Sequence, residues 1–126
     1  SALVDMAFHA RPEAPEDPLR FEAETLSALG MPDAIAMRHR TPHFLHVFSG
    51  DGYSAGYYSY MWSEVLDADA FGAFEESGDP FEPALAEKLR RHIYAAGGSA
   101  DPEALYRAFR GQMPSPEAMM KKRGLA

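Results

Sequence analysis

The sequence lacks cysteine altogether and has no hydrophobic run long enough to cross a membrane. The absence of cysteine among 126 residues excludes disulfides and thiolate metal sites, and it fits a reducing compartment. No apolar stretch approaches the roughly 20 residues that span a bilayer. We therefore predict a cytoplasmic protein that has no membrane partner.

Positive charge is scarce and dispersed. The chain has 12 Lys and Arg against 19 Asp and Glu, a net charge of -7. Nucleic-acid partners are not expected, because binding to phosphates needs clustered basic side chains. The one tight basic cluster, residues 121–123, precedes Gly124 and suits the C-terminal end of a helix. With 46% hydrophobic and 25% charged residues, the chain has the composition of a single globular domain, or of part of a larger one.

Proline and glycine mark the predicted helix ends. A capping residue precedes proline at four helix starts, and glycine suits the left-handed position after a helix. The starts are Asp17-Pro18, Asp79-Pro80, Asp101-Pro102 and Ser115-Pro116, and the stops are Gly30, Gly97-Gly98, Gly111 and Gly124. These signals predict helices near 18–29, 80–96, 102–110 and 116–123. An apolar stripe in the second helix should face a core: Phe81, Leu85, Leu89 and Ile93.

A longer helix is predicted from about Ser54 to Phe74, and the fold class is all-α. On that helix Tyr53, Tyr57 and Tyr60 would share one face. The helical pattern fails before it, where Pro42 interrupts the chain and residues 44–48 favour a short strand. We therefore expect one short extended or β segment near residues 43–53, which includes a glycine-rich turn at 49–52.

The tyrosine-rich region also has the features of a binding site. Four tyrosines occur within eight residues, and Gly52 and Gly56 leave backbone open to a peptide ligand. A phenol hydroxyl is a neutral donor that can stabilise the oxyanion formed during amide hydrolysis. The alternative is an aromatic stripe in the core whose hydroxyls reach backbone carbonyls.

The run Gly52–Val65, GYSAGYYSYMWSEV, resembles the C-terminal signature of the thimet oligopeptidase family of HExxH zinc peptidases. The similarity continues on both sides through LVDMA at 3–7, RHR at 38–40, FLH at 44–46, DADAF at 67–71 and RGL at 123–125. The resemblance implies that residues 1–126 are the C-terminal portion of a larger, helical, zincin-like catalytic domain. Within the family it favours a peptidyl-dipeptidase that releases C-terminal dipeptides over an oligopeptidase that cleaves internally.

The resemblance also implies roles for individual residues. Tyr60 would stabilise the tetrahedral oxyanion, and Tyr53 would assist the transition state. His46, just before the glycine-rich turn, would line the catalytic site. Tyr57 would bind substrate together with the backbone at Gly52 and Gly56.

The zinc ligands of that family have no counterpart in this chain. Its members bind zinc through HExxH and a later glutamate, and no HExxH occurs in these 126 residues. Zinc would therefore be bound by the N-terminal remainder of the enzyme, and this segment alone should bind none and be inactive. The partners expected are short peptide substrates and that remainder. Exposed apolar surface would be covered by the remainder or by a second copy in a dimer.

Three other interpretations remain open from the residues alone. His39, His43 and His46 have i, i+4, i+7 spacing, so they could form a local metal site. The glycines at 50, 52 and 56 superficially suggest a dinucleotide loop, although their spacing is not G-x-G-x-x-G. The capped helices and acidic surface would also suit a non-catalytic helical interaction module.

Overall fold

The computed structural model describes residues 1–126, and all of its regular secondary structure is helical, with no strand. The chain forms two compact units, residues 1–60 and residues 61–126. None of the helices combines the length and apolar character needed to cross a bilayer. The helices are α1 Ala2–His9, α2 Pro18–Ala28, α3 Leu45–Phe48, α4 Ser59–Ser77, α5 Pro83–Leu89, α6 Pro102–Arg110 and α7 Glu117–Lys122, with a 3₁₀ turn at Thr41–His43 and a π-helical turn at Arg90–Tyr94. The predicted all-α class is confirmed.

In the first unit, α1 packs against α2 through aromatic rings. The ring of Phe8 makes edge-to-face contacts with Phe21 and Phe48, at centroid distances of 5.6 and 5.1 Å. Val4 and Val47 are almost fully buried in the same unit. Edge-to-face packing adds roughly 0.5–1.5 kcal/mol per pair to the free energy gained from burying the rings.

A buried carboxylate fixes the chain that follows α2. Glu22 is 3% exposed, and it accepts hydrogen bonds from the amide and hydroxyl of Thr41 at 2.6 and 2.8 Å. The guanidinium of Arg40 donates to its other oxygen. Burial by itself would raise the pKa of Glu22, but the bonds from Thr41 and Arg40 outweigh it and hold the pKa below its ordinary value.

In the second unit, α4 contributes to two apolar clusters. Val65 and Ala68 pack against Met119 of α7. Further along α4, Ala73 and Phe74 pack against Phe109 of α6. Three side chains from α5 and the π-helical turn cover this second cluster: Leu85, Leu89 and Ile93. The predicted stripe is therefore confirmed at three positions and wrong at Phe81, which is 84% exposed.

A second buried carboxylate joins α4 to α6. Asp69 is 4% exposed and accepts hydrogen bonds from the Tyr106 hydroxyl at 2.7 Å and from Nε of Arg110 at 3.2 Å. Arg110 also forms a two-pronged pair with Glu76. Burial and the bond to Asp69 together raise the pKa of Tyr106 well above its usual range, so its hydroxyl remains a donor.

Most predicted helix ends are confirmed. Asp17 accepts hydrogen bonds from the amides of Leu19 and Arg20, and Asp101 accepts from that of Ala104. The predicted stop glycines have left-handed φ values between 51° and 86°: Gly30, Gly97, Gly111 and Gly124.

The predicted start of the helix at Pro80 is wrong. Helix α5 begins at Pro83, and the carboxylate of Glu82 caps it by accepting from the Leu85 amide. A helix that began at Pro80 would place Pro83 beyond its first turn, where the ring clashes and the missing amide is costly. Pro83 therefore decides the start.

The extended or β segment expected near residues 43–53 is also wrong. A 3₁₀ turn occupies Thr41–His43, and α3 follows at Leu45–Phe48. A lone strand would leave its amides and carbonyls without partners, because the structure has no other strand for it to pair with. The helical turn satisfies part of the backbone locally and buries Val47.

We expect Glu22→Gln to lower the free energy of unfolding by about 2 kcal/mol at pH 7, because the charge-assisted bonds are weakened. The folded-state pKa of Glu22 is lowered, so its contribution is fully present above the ordinary value of 4.5 and is lost as the pH falls from there through the lowered folded-state pKa. The difference between variant and wild type should therefore shrink between pH 7 and pH 3, as measured by urea unfolding.

The matched control is Glu24→Gln on the same helix. Glu24 pairs with Arg20 at 2.8 Å, but both side chains are largely exposed, so its loss should have little effect. Equal destabilisation by the two variants would contradict the role assigned to the buried carboxylate.

Candidate functional site

The tyrosine-rich region becomes helical only at residue 59. The prediction of a helix from about Ser54 is wrong at its start, because α4 begins at Ser59 and residues 51–58, here called the tyrosine turn, form successive turns. Ala55 has a φ of +57°, which costs a residue with a side chain roughly 1–2 kcal/mol. Tyr53 and Tyr57 therefore precede the helix and share no helical face with Tyr60.

A buried carboxylate from α1 holds the tyrosine turn. Asp5 is 3% exposed, and its two oxygens accept hydrogen bonds from the Ala55 amide at 3.1 Å and the Tyr57 amide at 3.0 Å. Nδ1 of His9, one turn later in α1, lies 2.8 Å from the same carboxylate. Hydrogen bonds to an ionised acceptor are among the stronger ones in proteins. The conformation of the turn is thus tied to a helix about 50 residues earlier.

Two rings from the tyrosine turn and one from the start of α4 pack around His46. The imidazole centroid lies 5.0 Å from the ring of Tyr53, 5.8 Å from Tyr57 and 5.9 Å from Tyr60. The Tyr60 hydroxyl is 3.4 Å from Nε2 of His46, at the long end of hydrogen-bonding distance. The structure therefore brings together the four side chains that the sequence singled out, although they do not lie on one helix.

Two further rings support this cluster. Phe44 is 6% exposed, and its ring meets that of Tyr57 edge-on at 4.8 Å. His39 stacks on Phe44 at 4.7 Å and also contacts Tyr57. Nδ1 of His39 lies 3.1 Å from the Ser1 hydroxyl. These contacts make His39 a packing residue of the cluster.

The exposure of these side chains decides between the two interpretations of the tyrosines. Tyr53 is 54% exposed and Tyr60 is 58% exposed, while Tyr57 is half-buried. His46 is also exposed. An aromatic stripe inside a core would bury these rings, so that interpretation is wrong for Tyr53 and Tyr60. Both side chains lie on the surface of this chain.

The two glycines predicted to admit a peptide backbone differ in their surroundings. A Cβ added at Gly52 would meet nothing within 4 Å, so the backbone there is open. A Cβ at Gly56 would lie 3.2 Å from the carbonyl oxygen of Tyr53, closer than a side chain is normally tolerated. Gly56 thus permits the tight turn itself, and Gly52 is the more accessible of the two.

The described residues contain no ready-made metal site. No group of three or more His, Cys, Asp or Glu side chains is arranged to hold a metal ion. The alternative site from His39, His43 and His46 is therefore not formed. A catalytic zinc needs three protein ligands, and the residues of this chain do not fit that requirement.

Asp5 and His9 are the residues of this region to which the sequence assigned no role. Their i, i+4 spacing on α1 was a local signal that the two side chains could interact. Nothing local, however, indicated that the Asp5 carboxylate reaches the amides of Ala55 and Tyr57. That contact depends on how distant parts of the chain fold together.

Chemically, the cluster offers neutral hydrogen-bond donors beside an imidazole. A phenol hydroxyl next to a histidine can donate to a carbonyl oxygen or to the oxyanion that forms from it. The imidazole can fix the orientation of that hydroxyl through a hydrogen bond. The exposed aromatic faces can pack against a bound chain.

Among known proteins, a protein-family model matches almost the whole chain. The family model described as peptidase family M3 matches residues 1–125. The chain is 39% identical to the dipeptidyl carboxypeptidase of Salmonella typhimurium, over an alignment that covers 99% of this chain and 18% of that protein.

Two relatives named oligopeptidase A match a shorter part of the chain at higher identity. Oligopeptidase A of Haemophilus influenzae is 46% identical over 68% of this chain and 12% of its own length. A probable cytosolic oligopeptidase A of Arabidopsis thaliana is 48% identical over 65% of this chain and 12% of its own. The chain thus spans less than a fifth of the length of these relatives. Because the family model covers almost every residue, the chain belongs to peptidase family M3.

Proposed function

We propose that this chain is the C-terminal portion of the catalytic domain of a zinc-dependent peptidase that hydrolyses short peptides. Its part in the reaction is to bind substrate and to stabilise the transition state. The observation that carries the proposal is the exposed Tyr60 hydroxyl beside Nε2 of His46, in a member of peptidase family M3.

Tyr60 is the proposed oxyanion donor. When water adds to the scissile carbonyl, negative charge develops on the carbonyl oxygen, and a neutral phenol can donate a hydrogen bond to it. The single hydroxyl proton of Tyr60 must then be free of other acceptors. His46 would therefore carry a proton on Nε2 and donate to the phenol oxygen, so that the hydroxyl points towards substrate.

Tyr53, Tyr57 and the backbone at Gly52 are the proposed substrate-binding groups. Tyr53 is exposed and lies against His46, so it can contact both the peptide and the reacting carbonyl. The Tyr57 ring is in contact with that of Tyr60, at a centroid distance of 5.1 Å. The open backbone at Gly52 allows a peptide to approach closely.

The zinc ion and the base that activates water would be supplied by polypeptide outside these 126 residues. The relatives are at least five times longer than the matched region, which supports this division. Large side chains at the start of α4 are exposed, with Tyr58 at 55%, Met61 at 52% and Trp62 at 50%. We propose that the remainder of the enzyme, or a second copy of this chain, covers them. A cytoplasmic location is proposed from the lack of cysteine and the cytosolic relative.

Within the family, we propose a peptidyl-dipeptidase, because the similarity to a dipeptidyl carboxypeptidase extends over 99% of the chain. An internally cleaving oligopeptidase is the alternative, supported by the higher identity to oligopeptidase A over a shorter region. If the enzyme is a peptidyl-dipeptidase, the first product released from a nonapeptide should be its C-terminal dipeptide. Mass spectrometry of samples taken during the digest identifies the products in order.

A matched substrate sharpens this comparison. The same peptide extended by one C-terminal residue should be cut one bond further along, because a peptidyl-dipeptidase counts from the C-terminus. Cleavage that stays at the same bond in both peptides would show selection by side chain, and it would favour the oligopeptidase.

In the complete polypeptide we expect Tyr60→Phe to lower kcat by ~10²–10³-fold, the usual effect of removing one oxyanion donor. The substitution keeps the ring and its packing, so the melting temperature should not change. KM should change little, because the hydroxyl acts mainly in the transition state. Steady-state kinetics and a thermal melt measure these quantities.

Tyr58→Phe is the control for this experiment. Tyr58 lies two residues away and is equally exposed, but its ring is not among those packed around His46. It should keep wild-type kcat. Wild-type turnover in Tyr60→Phe would remove this tyrosine from the mechanism.

Purified alone, the 126-residue chain should bind no stoichiometric zinc and cleave no peptide. The physical reason is that no suitable group of ligands comes together in it. Metal analysis after dialysis and a peptide-cleavage assay provide the test. Tight one-to-one zinc that is lost in His43→Ala or His46→Ala would contradict the prediction and restore the local histidine site.

A further inference from the structure

We infer that Asp5 is a positioning residue for catalysis: its carboxylate selects the turn conformation of residues 51–58 and thereby sets where the tyrosine rings lie around His46. This inference rests on the proposed role of Tyr60. Asp5 lies on α1, and its connection to the tyrosines is through their backbone.

The first support for this inference is the hydrogen bonding of the Asp5 carboxylate. A buried carboxylate is costly unless donors satisfy it, and Asp5 is 3% exposed. Three N–H groups do so, the amides of Ala55 and Tyr57 and the ring of His9. Two of the three donors belong to the tyrosine turn, and the third, the ring of His9, lies one turn later on α1. The carboxylate is therefore oriented towards the turn.

The backbone of the turn supports it independently. The side-chain pattern of this region favours a helix that starts near Ser54, yet α4 starts at Ser59. Ala55 instead holds a left-handed φ of +57°, which alanine rarely adopts. Such a conformation persists only where the surroundings favour it. The bonds from the Ala55 and Tyr57 amides to Asp5 favour the turn, and a continuous helix would break them.

The consequence concerns the ring positions. If α4 extended backwards through residues 54–58, Tyr53 and Tyr57 would rotate onto one helical face and leave their present places beside His46. His46 would then lose two of its three tyrosine contacts, and it would no longer be held where its Nε2 lies 3.4 Å from the Tyr60 hydroxyl. The His46 ring now lies 5.0 Å from that of Tyr53 and 5.8 Å from that of Tyr57. A misplacement of about 1 Å can cost ~10²-fold in rate, so loss of the Asp5 carboxylate should impair turnover although Asp5 does not touch substrate.

The test is Asp5→Asn in the complete polypeptide. Asparagine keeps the size but offers one acceptor oxygen, and its NH₂ group would face a backbone amide. We expect hydrogen–deuterium exchange to accelerate at the Ala55 and Tyr57 amides and kcat to fall by at least ~10-fold. In a Tyr60→Phe background the same substitution should lower kcat by less than about threefold, because both changes remove the same stabilisation.

Val4→Ala is the matched control for a loss of stability alone. Val4 is adjacent on α1 and 3% exposed, so its truncation should lower the melting temperature while leaving the Asp5 carboxylate in place. Exchange at Ala55 and Tyr57 should then stay slow at temperatures well below the melt, and kcat should remain that of the wild type. An equal loss of kcat in the two variants at matched melting temperature would overturn the inference.

The remaining outcomes separate this inference from the function on which it rests. Unchanged exchange in Asp5→Asn, or losses that multiply fully with Tyr60→Phe, would overturn the positioning role alone. So would normal turnover in Asp5→Asn where Tyr60→Phe is impaired. Accelerated exchange with wild-type turnover in both Asp5→Asn and Tyr60→Phe would overturn the proposed function, and with it the catalytic consequence of the turn.

Discussion

The hydrogen bonds from the amides of Ala55 and Tyr57 to the buried Asp5 carboxylate are the interaction on which the candidate site depends. They join α1 to the tyrosine turn across about 50 residues of sequence. Because both donors are backbone groups, the interaction constrains the path of the chain whatever the side chains in the turn. The exposed rings of Tyr53 and Tyr60 can therefore face solvent and still have defined positions next to His46.

Two other buried carboxylates also accept hydrogen bonds from another part of the chain. Glu22 binds the backbone and side chain of Thr41 in the first unit, and Asp69 binds Tyr106 and Arg110 in the second. Each carboxylate is nearly buried, and no buried side-chain oxygen or nitrogen lacks a hydrogen-bond partner. Charges removed from water are strongly destabilising when unpaired. The three carboxylates therefore constrain the fold as well as contributing to its stability, since alternative packings would leave them without donors.

The site combines buried supporting contacts with exposed hydroxyl groups. Phe44 and His39 pack beneath Tyr57, and the Asp5 carboxylate holds the backbone on either side of Gly56. The hydroxyl of Tyr60 stays exposed at the start of α4. An oxyanion donor is effective when it is oriented before the charge develops, because no reorganisation is then needed during the reaction.

The sequence by itself determined the features that rest on neighbouring residues: the all-α class, the caps at Asp17 and Asp101, the stop glycines and the candidate residues themselves. Capping and left-handed turns are local, so a few residues suffice to specify them. Only the tertiary structure decided the late start of α4, the helical turn at Leu45–Phe48 and the grouping of three tyrosines around His46. Those outcomes depend on a carboxylate from α1 and on the lack of any strand partner. Neither can be read from the residues around the site, because both result from contacts between distant parts of the chain.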